Sequence, residues 1–170
     1  MIGAWGAATA KSANNTGLMQ LRALDWDTDG PWNDYPVVLI RQPSEEGHAF
    51  ATVGYAGDVG AISGYSSANV AISEKVWLHD KGDSSWVGTP TIFVLRDILQ
   101  FGTDLNSSIA KVQSSERTNS IFAGVGAKKD GQFRALAYGH ESVAVWSDTS
   151  GPEYGNHTRA PGLVYIDKHA

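Results

Sequence analysis

The stretch Leu21-Arg22-Ala23-Leu24-Asp25-Trp26 sets one guanidinium and one carboxylate three residues apart inside an otherwise apolar run. Leu18 to Trp26 reads as a strand, and its period of two puts Arg22 and Leu24 on one face and Leu21, Ala23 and Asp25 on the other. A regular strand therefore separates the two charges, and a bulge or strand end near Ala23 or Leu24 is needed to turn both into one pocket. Two readings stay open from these six residues: an edge-strand salt bridge, or a pair gathered for chemistry.

The chain that carries this stretch has 170 residues, 42% hydrophobic and only 18% charged, which suits one well-buried core and a single domain over 1–170. Its 19 Gly and 6 Trp, with abundant Val, Ile and Thr, favour strands and turns over a helical bundle. A net charge of -5, from 13 basic and 18 acidic residues without a Lys/Arg cluster, offers no electrostatic footprint for nucleic acid. Cysteine is absent from the sequence, which removes disulfides, zinc-thiolate sites and any thiol nucleophile within it. No apolar run approaches the ~20 residues that cross a bilayer, and no basic segment leads into an apolar one at the start, so no transmembrane segment or signal is expected. Asn14-Asn15-Thr16, Asn106-Ser107-Ser108 and Asn156-His157-Thr158 match the acceptor pattern for N-glycosylation and lean towards a secretory origin.

In chain order, small apolar Ala4 to Ala10 and the turn Lys11 to Gly17 lead into Leu18 to Trp26 as a first hairpin, and Asp27 to Pro36 is a loop. Val37 to Arg41 and His48 to Ala56 form a second hairpin across Pro43 to Gly47. A glycine-punctuated passage through Gly57, Gly60 and Gly64 reaches a strand in Asn69 to Trp77, and His79 to Ser85 is a solvated loop. Thr89-Pro90 then opens a helix, Thr as cap and Pro in the first position, whose apolar face runs from Ile92 to Leu99 and stops at Gly102. Asp104 to Ser115 is a second helix with Leu105, Ile109 and Val112 inward. Ser120 to Gly126, Gln132 to Tyr138 and Ser142 to Trp146 are strands, Lys128 to Gly131 is a solvated hairpin tip, and Leu163 to Ile166 is a last strand. Strands, two adjacent helices and more strands give an α+β fold, with the helical pair on one face of a largely antiparallel sheet.

Four stretches occur in an order that resembles a known group: Arg22-x-x-Asp25 after a small-residue strand, Gly60 to Glu74, Gly88-Thr89-Pro90 with Leu95-Arg96, and Ser115 to Asn119 running into a strand. They are similar to the N-terminal-nucleophile cysteine hydrolases of the penicillin acyltransferase, penicillin V acylase, bile salt hydrolase and acid ceramidase type. Tyr65-Ser66-Ser67, Glu74-Lys75-Val76-Trp77 and Val164 to His169 bring the chain nearest to secreted ceramidase-like and phospholipase-B-like proteins. The resemblance implies an αββα sandwich, two stacked antiparallel sheets covered by helices, and cleavage of amide bonds in N-acylated compounds, a lipid amide such as ceramide first among them. It also implies a secreted or lysosomal location and no cofactor.

Carried over by position, the resemblance implies that Asp25 contacts the amino group of an N-terminal cysteine while Arg22 stabilises its thiolate. A free α-amine beside its own thiol serves as base, a nearby cation lowers the thiol pKa, and a carboxylate orients the amine. Asn119 is similar to the side-chain donor of the oxyanion hole, with a second donor from backbone N–H groups at Tyr65 and Ser66. Such donors contribute about 3 to 4 kcal/mol to the chemical step. Trp26 and Trp32, beside these residues, are candidates for substrate contact. The chain departs from the family at one point: the nucleophile belongs a few residues before Trp5-Gly6, where Met1, Ile2 and Gly3 offer no attacking group. Arg22, Asp25 and Asn119 all persist, which favours a chain incomplete at one or both ends over a lineage that kept the fold and lost the chemistry.

The histidines at 48, 79, 140, 157 and 169 have no metal-ligand spacing, and no metal is expected. The glycines from 54 to 64 lack the Lys-Ser/Thr of a phosphate loop. The expected partner is thus a small N-acyl or lipid substrate. The rival expectation is a non-catalytic secreted domain that uses the same sandwich for ligand binding or self-assembly.

Overall fold

The computed structural model describes residues 1–4, 6, 17–23, 29–77, 84–152 and 159–167. Its elements run β1 (Ile2–Ala4), β2 (Met19–Leu21), α1 (Pro31–Asp34), β3 (Pro36–Arg41), β4 (Phe50–Tyr55), β5 (Ser63–Ser66), β6 (Val70–Val76), α2 (Thr91–Phe101), α3 (Leu105–Ser114), β7 (Ile121–Ala127), β8 (Gln132–Tyr138), β9 (Val143–Trp146) and β10 (Leu163–Tyr165). Strands β3 to β9 form one antiparallel sheet in sequence order, and a second sheet has the order β10-β1-β2. The helical pair falls between β6 and β7, which are neighbours in the large sheet.

The residues of β7 explain the layering. All seven are buried, because both faces of this strand are covered. Ile121, Ala123 and Val125 join Val94, Leu95, Ile98, Leu99 and Val112 of the helices in one core. Phe122 joins Phe133, Met1, Val164 and Ile166 in a second core, between the sheets. Small residues set the spacing there: a Cβ on Gly3 would sit 2.1 Å from the Phe133 ring, and one on Gly124 would sit 2.5 Å from Met1 Sδ. The fold is therefore α+β, with two stacked antiparallel sheets and the helical pair outside, as the sequence suggests.

Several boundaries shift. Ser63–Ser66, expected as part of a glycine-punctuated passage, is a central strand between β4 and β6. Pro31–Asp34, expected as loop, makes one helical turn. Pro90 rather than Thr89 is the N-cap of α2, without a side-chain capping bond, because the Thr89 backbone bridges to the segment before β7, its N–H donating to Glu116 O at 2.7 Å. The Lys128 to Gly131 tip is not merely solvated. Asp130 Oδ2 accepts from Leu105 N at 2.8 Å and Lys129 Nζ lies 2.8 Å from Asp104 Oδ2, so the hairpin clamps the start of α3. Asp104 caps that helix in a reciprocal box with Ser107, and Lys129 and Ser107 hold its carboxyl well below the usual carboxylate range.

Candidate functional site

The β5–β6 ladder begins at the pair Ser63↔Ser73, and Glu74 stands one residue beyond it. Arg22, just past the end of β2, reaches that point from the small sheet. Its Nε donates to Glu74 O at 3.0 Å and its Nη2 to Glu74 Oε2 at 3.2 Å, with both side chains 12% exposed. Beside it Gln20 Nε2 donates to Ser73 Oγ at 2.5 Å. These polar contacts tie β2 to β6. Burial raises the Glu74 carboxyl above its ordinary value, against the opposing pull of Arg22 and of Lys75.

Glu74 follows the alternation of Ile72 and Val76 and so belongs to the helix side of the large sheet, where it borders a cleft of about 330 Å³. Apolar walls come from Trp32, Tyr55, Ile62, Val76, Ile92 and Ile121, and polar groups from Glu74, Thr91, Asn119 and Ser120. Trp32 packs edge-on to Tyr55 with ring centroids 5.9 Å apart. Asn119 is positioned by the loop that leads into β7. Its Oδ1 accepts from Thr91 Oγ1 at 2.5 Å and from Thr118 Oγ1 at 3.1 Å, which orients the amide and leaves Nδ2 as a donor without a protein partner among the described residues. An apolar cleft with a few converging polar groups is the usual form of a small-molecule site.

The fold thus gathers Arg22, through Glu74, with Asn119 and Trp32 around one cleft. Asp25, Trp26, Asn14 and Asn156 lie outside the described residues. Asn106 is exposed on the first turn of α3. Tyr65 and Ser66 do not line the cleft. Both residues belong to a central strand whose main chain pairs with β4 and β6, the Tyr65 hydroxyl bonds Asn69, and Ser66 is fully buried. Among the described residues no cluster of three or more His, Asp or Glu could hold a metal, and no helix is long and apolar enough to cross a membrane.

Glu74 and Thr91 carry the site without having been expected there. The signal for Glu74 is parity, since a carboxylate alternating with Ile72 and Val76 falls on an apolar face. Arg117 is a further buried cation, away from the lining of the cleft. It donates to the carbonyls of Val112, Gln113, Ser115 and Gly139 at 2.6 to 3.3 Å, closing the C-terminal end of α3.

Met1 begins the register of the small sheet. The pairs Ile2↔Leu21 and Gly3↔Gln20, extended by one residue, set Met1 opposite Arg22. The Met1 amine donates to Ile166 O and the Met1 carbonyl accepts from Ile166 N, both at 2.9 Å.

No protein-family model matches the chain. Two curated proteins of Dictyostelium discoideum are similar to it along its length: protein dcd1A, 38% identical over 99% of this chain and 40% of its own, and protein dcd1B, 32% identical over 100% of this chain and 34% of its own. The chain therefore spans well under half the length of these relatives. Among solved structures, the Caenorhabditis elegans ortholog of N-acylethanolamine-hydrolyzing acid amidase superposes with a TM-score of 0.63 at 12% identity, over 86% of this chain and 62% of that one. A conjugated bile acid hydrolase from Clostridium perfringens superposes with a TM-score of 0.48 at 9% identity, over 69% of this chain and 37% of that one. The two stacked antiparallel sheets, the outer helical pair and the first of these superpositions make this chain an α+β protein of N-terminal-nucleophile-hydrolase-like fold.

Proposed function

We propose that the cleft belongs to an amidohydrolase that cleaves N-acylated compounds, with a ceramide-like lipid amide as the first choice of substrate. The observation that carries this reading is the convergence of Arg22–Glu74, Asn119 and Trp32 on one apolar cleft. The amide-hydrolysing activity named for the C. elegans structural relative fits the same bond class.

In this reading the nucleophile is a cysteine that precedes Met1 in the natural protein. The Met1 amine makes a ladder bond that a peptide N–H would make equally well, so the register admits residues before it, alongside Ala23 and Asp167. The cysteine thiolate attacks the substrate carbonyl carbon, and Asn119 Nδ2 donates to the oxygen that becomes negative. The C–N bond breaks as the leaving amine takes a proton from the cysteine α-ammonium, and water then cleaves the thioester to release the acid and regenerate the thiol. Arg22 holds negative charge at the sulfur, Asp25 orients the α-amine, and Trp26 and Trp32 line the acyl path. A secreted or lysosomal location and glycosylation at Asn14, Asn106 or Asn156 belong to the same proposal.

Mass spectrometry of the N-terminus of the natural protein, paired with a fatty-acid-release assay on N-acylsphingosine and N-acylethanolamine, tests it. An N-terminal cysteine and release abolished by iodoacetamide are expected. A mature protein beginning at Met1, with release no faster than in buffer, would overturn the enzyme in favour of a ligand-binding or assembly domain.

A further inference from the structure

Tyr138 ends β8 on the helix side of the large sheet, opposite Ile121 in the register with β7. It is fully buried in the core that also holds Val94, Leu95 and Ile98, a place that phenylalanine would fill equally well. Tyrosine instead buries a hydroxyl, and that hydroxyl completes no hydrogen bond among the described residues. A buried polar group left in this state is costly and calls for an explanation. The explanation lies beside the cleft. Thr91, buried at the start of α2, is the hydrogen-bonding side chain that acts on the Tyr138 phenol. The one proton on the Thr91 hydroxyl is committed, since Oγ1 donates to Asn119 Oδ1 at 2.5 Å. Thr91 therefore has only lone pairs to offer Tyr138, and the phenol is the donor of the two. Burial raises the phenol above its ordinary range, against opposing pulls from Thr91 and Arg117, so it keeps the proton it would donate. Arg117 steadies the ring from the other side: its Cζ lies 5.7 Å from the ring centroid, and its Nε donates to Gly139 O at 2.6 Å, just past the end of β8.

We propose that Tyr138 is a positioning residue of the cleft: a small side-chain rotation brings its hydroxyl onto Thr91 Oγ1 and completes a relay in which Tyr138 donates to Thr91, Thr91 to Asn119 Oδ1, and Asn119 Nδ2 to an acyl oxygen. Every donor in this relay points the same way, towards the cleft. Successive hydrogen bonds of that kind strengthen one another by about 10 to 30% per bond. The Asn119 carbonyl oxygen, drawn on by Thr91 and Thr118, withdraws density from the amide nitrogen and makes Nδ2–H the stronger donor. No proton changes owner and no group changes charge. Tyr138 touches neither the lining of the cleft nor a reacting atom and acts only through Thr91. Its effect on turnover rests on the amidohydrolase reading, whereas the relay itself is a property of the folded chain.

The test uses the full-length natural protein carrying isotopically labelled asparagine, with the Asn119 side-chain amide identified in the NMR spectrum by its absence from Asn119→Asp. In Tyr138→Phe the Asn119 Nδ2 protons are expected to shift upfield, and kcat for release of fatty acid from N-acylsphingosine to fall about two- to tenfold with KM little changed. In a Thr91→Val background, where the link is already cut, Tyr138→Phe is expected to move neither the resonance nor kcat further. An Asn119 resonance unmoved by Tyr138→Phe, with or without a lower Tm, would overturn the relay and leave Tyr138 as core packing. Losses in kcat that simply add in the double variant would overturn it as well. If the parent protein releases no acid from N-acyl substrates, the amidohydrolase reading falls, and the resonance alone then decides the relay.

Discussion

Arg22 grips Glu74 at two chemically different points, its Nε on the backbone carbonyl at 3.0 Å and its Nη2 on the carboxylate at 3.2 Å. One side chain thereby satisfies the main chain of β6 just past the last β5 pair and neutralises an acid that is 12% exposed. Removing either partner leaves the other poorly solvated. Arg22→Leu should destabilise the fold by about 2 to 3 kcal/mol, and Arg22→Leu with Glu74→Leu should recover part of the loss. Urea unfolding of the two single variants and the double variant measures the coupling, and strict additivity would rule the pairing out as a stabilising contact.

The raised pKa of Glu74 fixes the sign of a pH effect. The folded state holds this proton to higher pH than the unfolded chain, whose carboxyl titrates near 4.5. The contribution is fully present below the unfolded value and is lost as pH rises through the folded one. Glu74→Gln cannot titrate, so its stability relative to the parent should improve as pH rises above the unfolded value of 4.5 and through the raised folded one. Chemical denaturation at several pH values checks this, and a difference independent of pH would show that burial does not govern the group.

The helical pair and most strands were legible because their signals are local: apolar residues at helical spacing from Ile92 to Leu99, an acid at the start of α3, and β-branched runs in β3, β6 and β7. Ser63–Ser66 was hidden because Ser-Gly-Tyr-Ser has turn composition and is a strand only through partners on both sides. The site was half legible. Arg22 and Asn119 could be named, while Glu74, the carboxylate that faces Arg22 in the fold, lies in another strand with no local mark in the sequence; Asp25 lies outside the described residues. The Asp130 clamp on α3 was unreadable for the same reason, since it spans two elements with no local mark.

Gly124 should be intolerant of any side chain although its backbone is unstrained. A Cβ there would lie 2.5 Å from Met1 Sδ, 2.6 Å from Phe133 Cζ and 2.6 Å from Ser73 Oγ, in the layer between the sheets. Gly124→Ala is expected to cost about 1 to 3 kcal/mol by overpacking. Gly131→Ala has open space but a φ of +62°, so its cost of about 1 kcal/mol comes from the backbone. Thermal unfolding separates the two: combining each with Phe133→Leu should relieve part of the Gly124 penalty and none of the Gly131 penalty.

Asn119 should govern turnover more than stability. Thr91 Oγ1 and Thr118 Oγ1 both donate to its Oδ1, so the orientation of the amide is set by its surroundings before any substrate arrives. Asn119→Asp keeps the acceptor and removes the Nδ2 donor. For the amidohydrolase proposed above, this should lower kcat by about 100- to 1,000-fold, with KM and Tm little changed. Thr91 acts through Asn119 and is a positioning residue. Thr91→Val should give a smaller loss confined to kcat, and Thr91→Ser, which restores the hydroxyl, should recover it. If Asn119→Asp lowered Tm while leaving kcat intact, Asn119 would be only a structural anchor for the loop entering β7, and the oxyanion role would be lost.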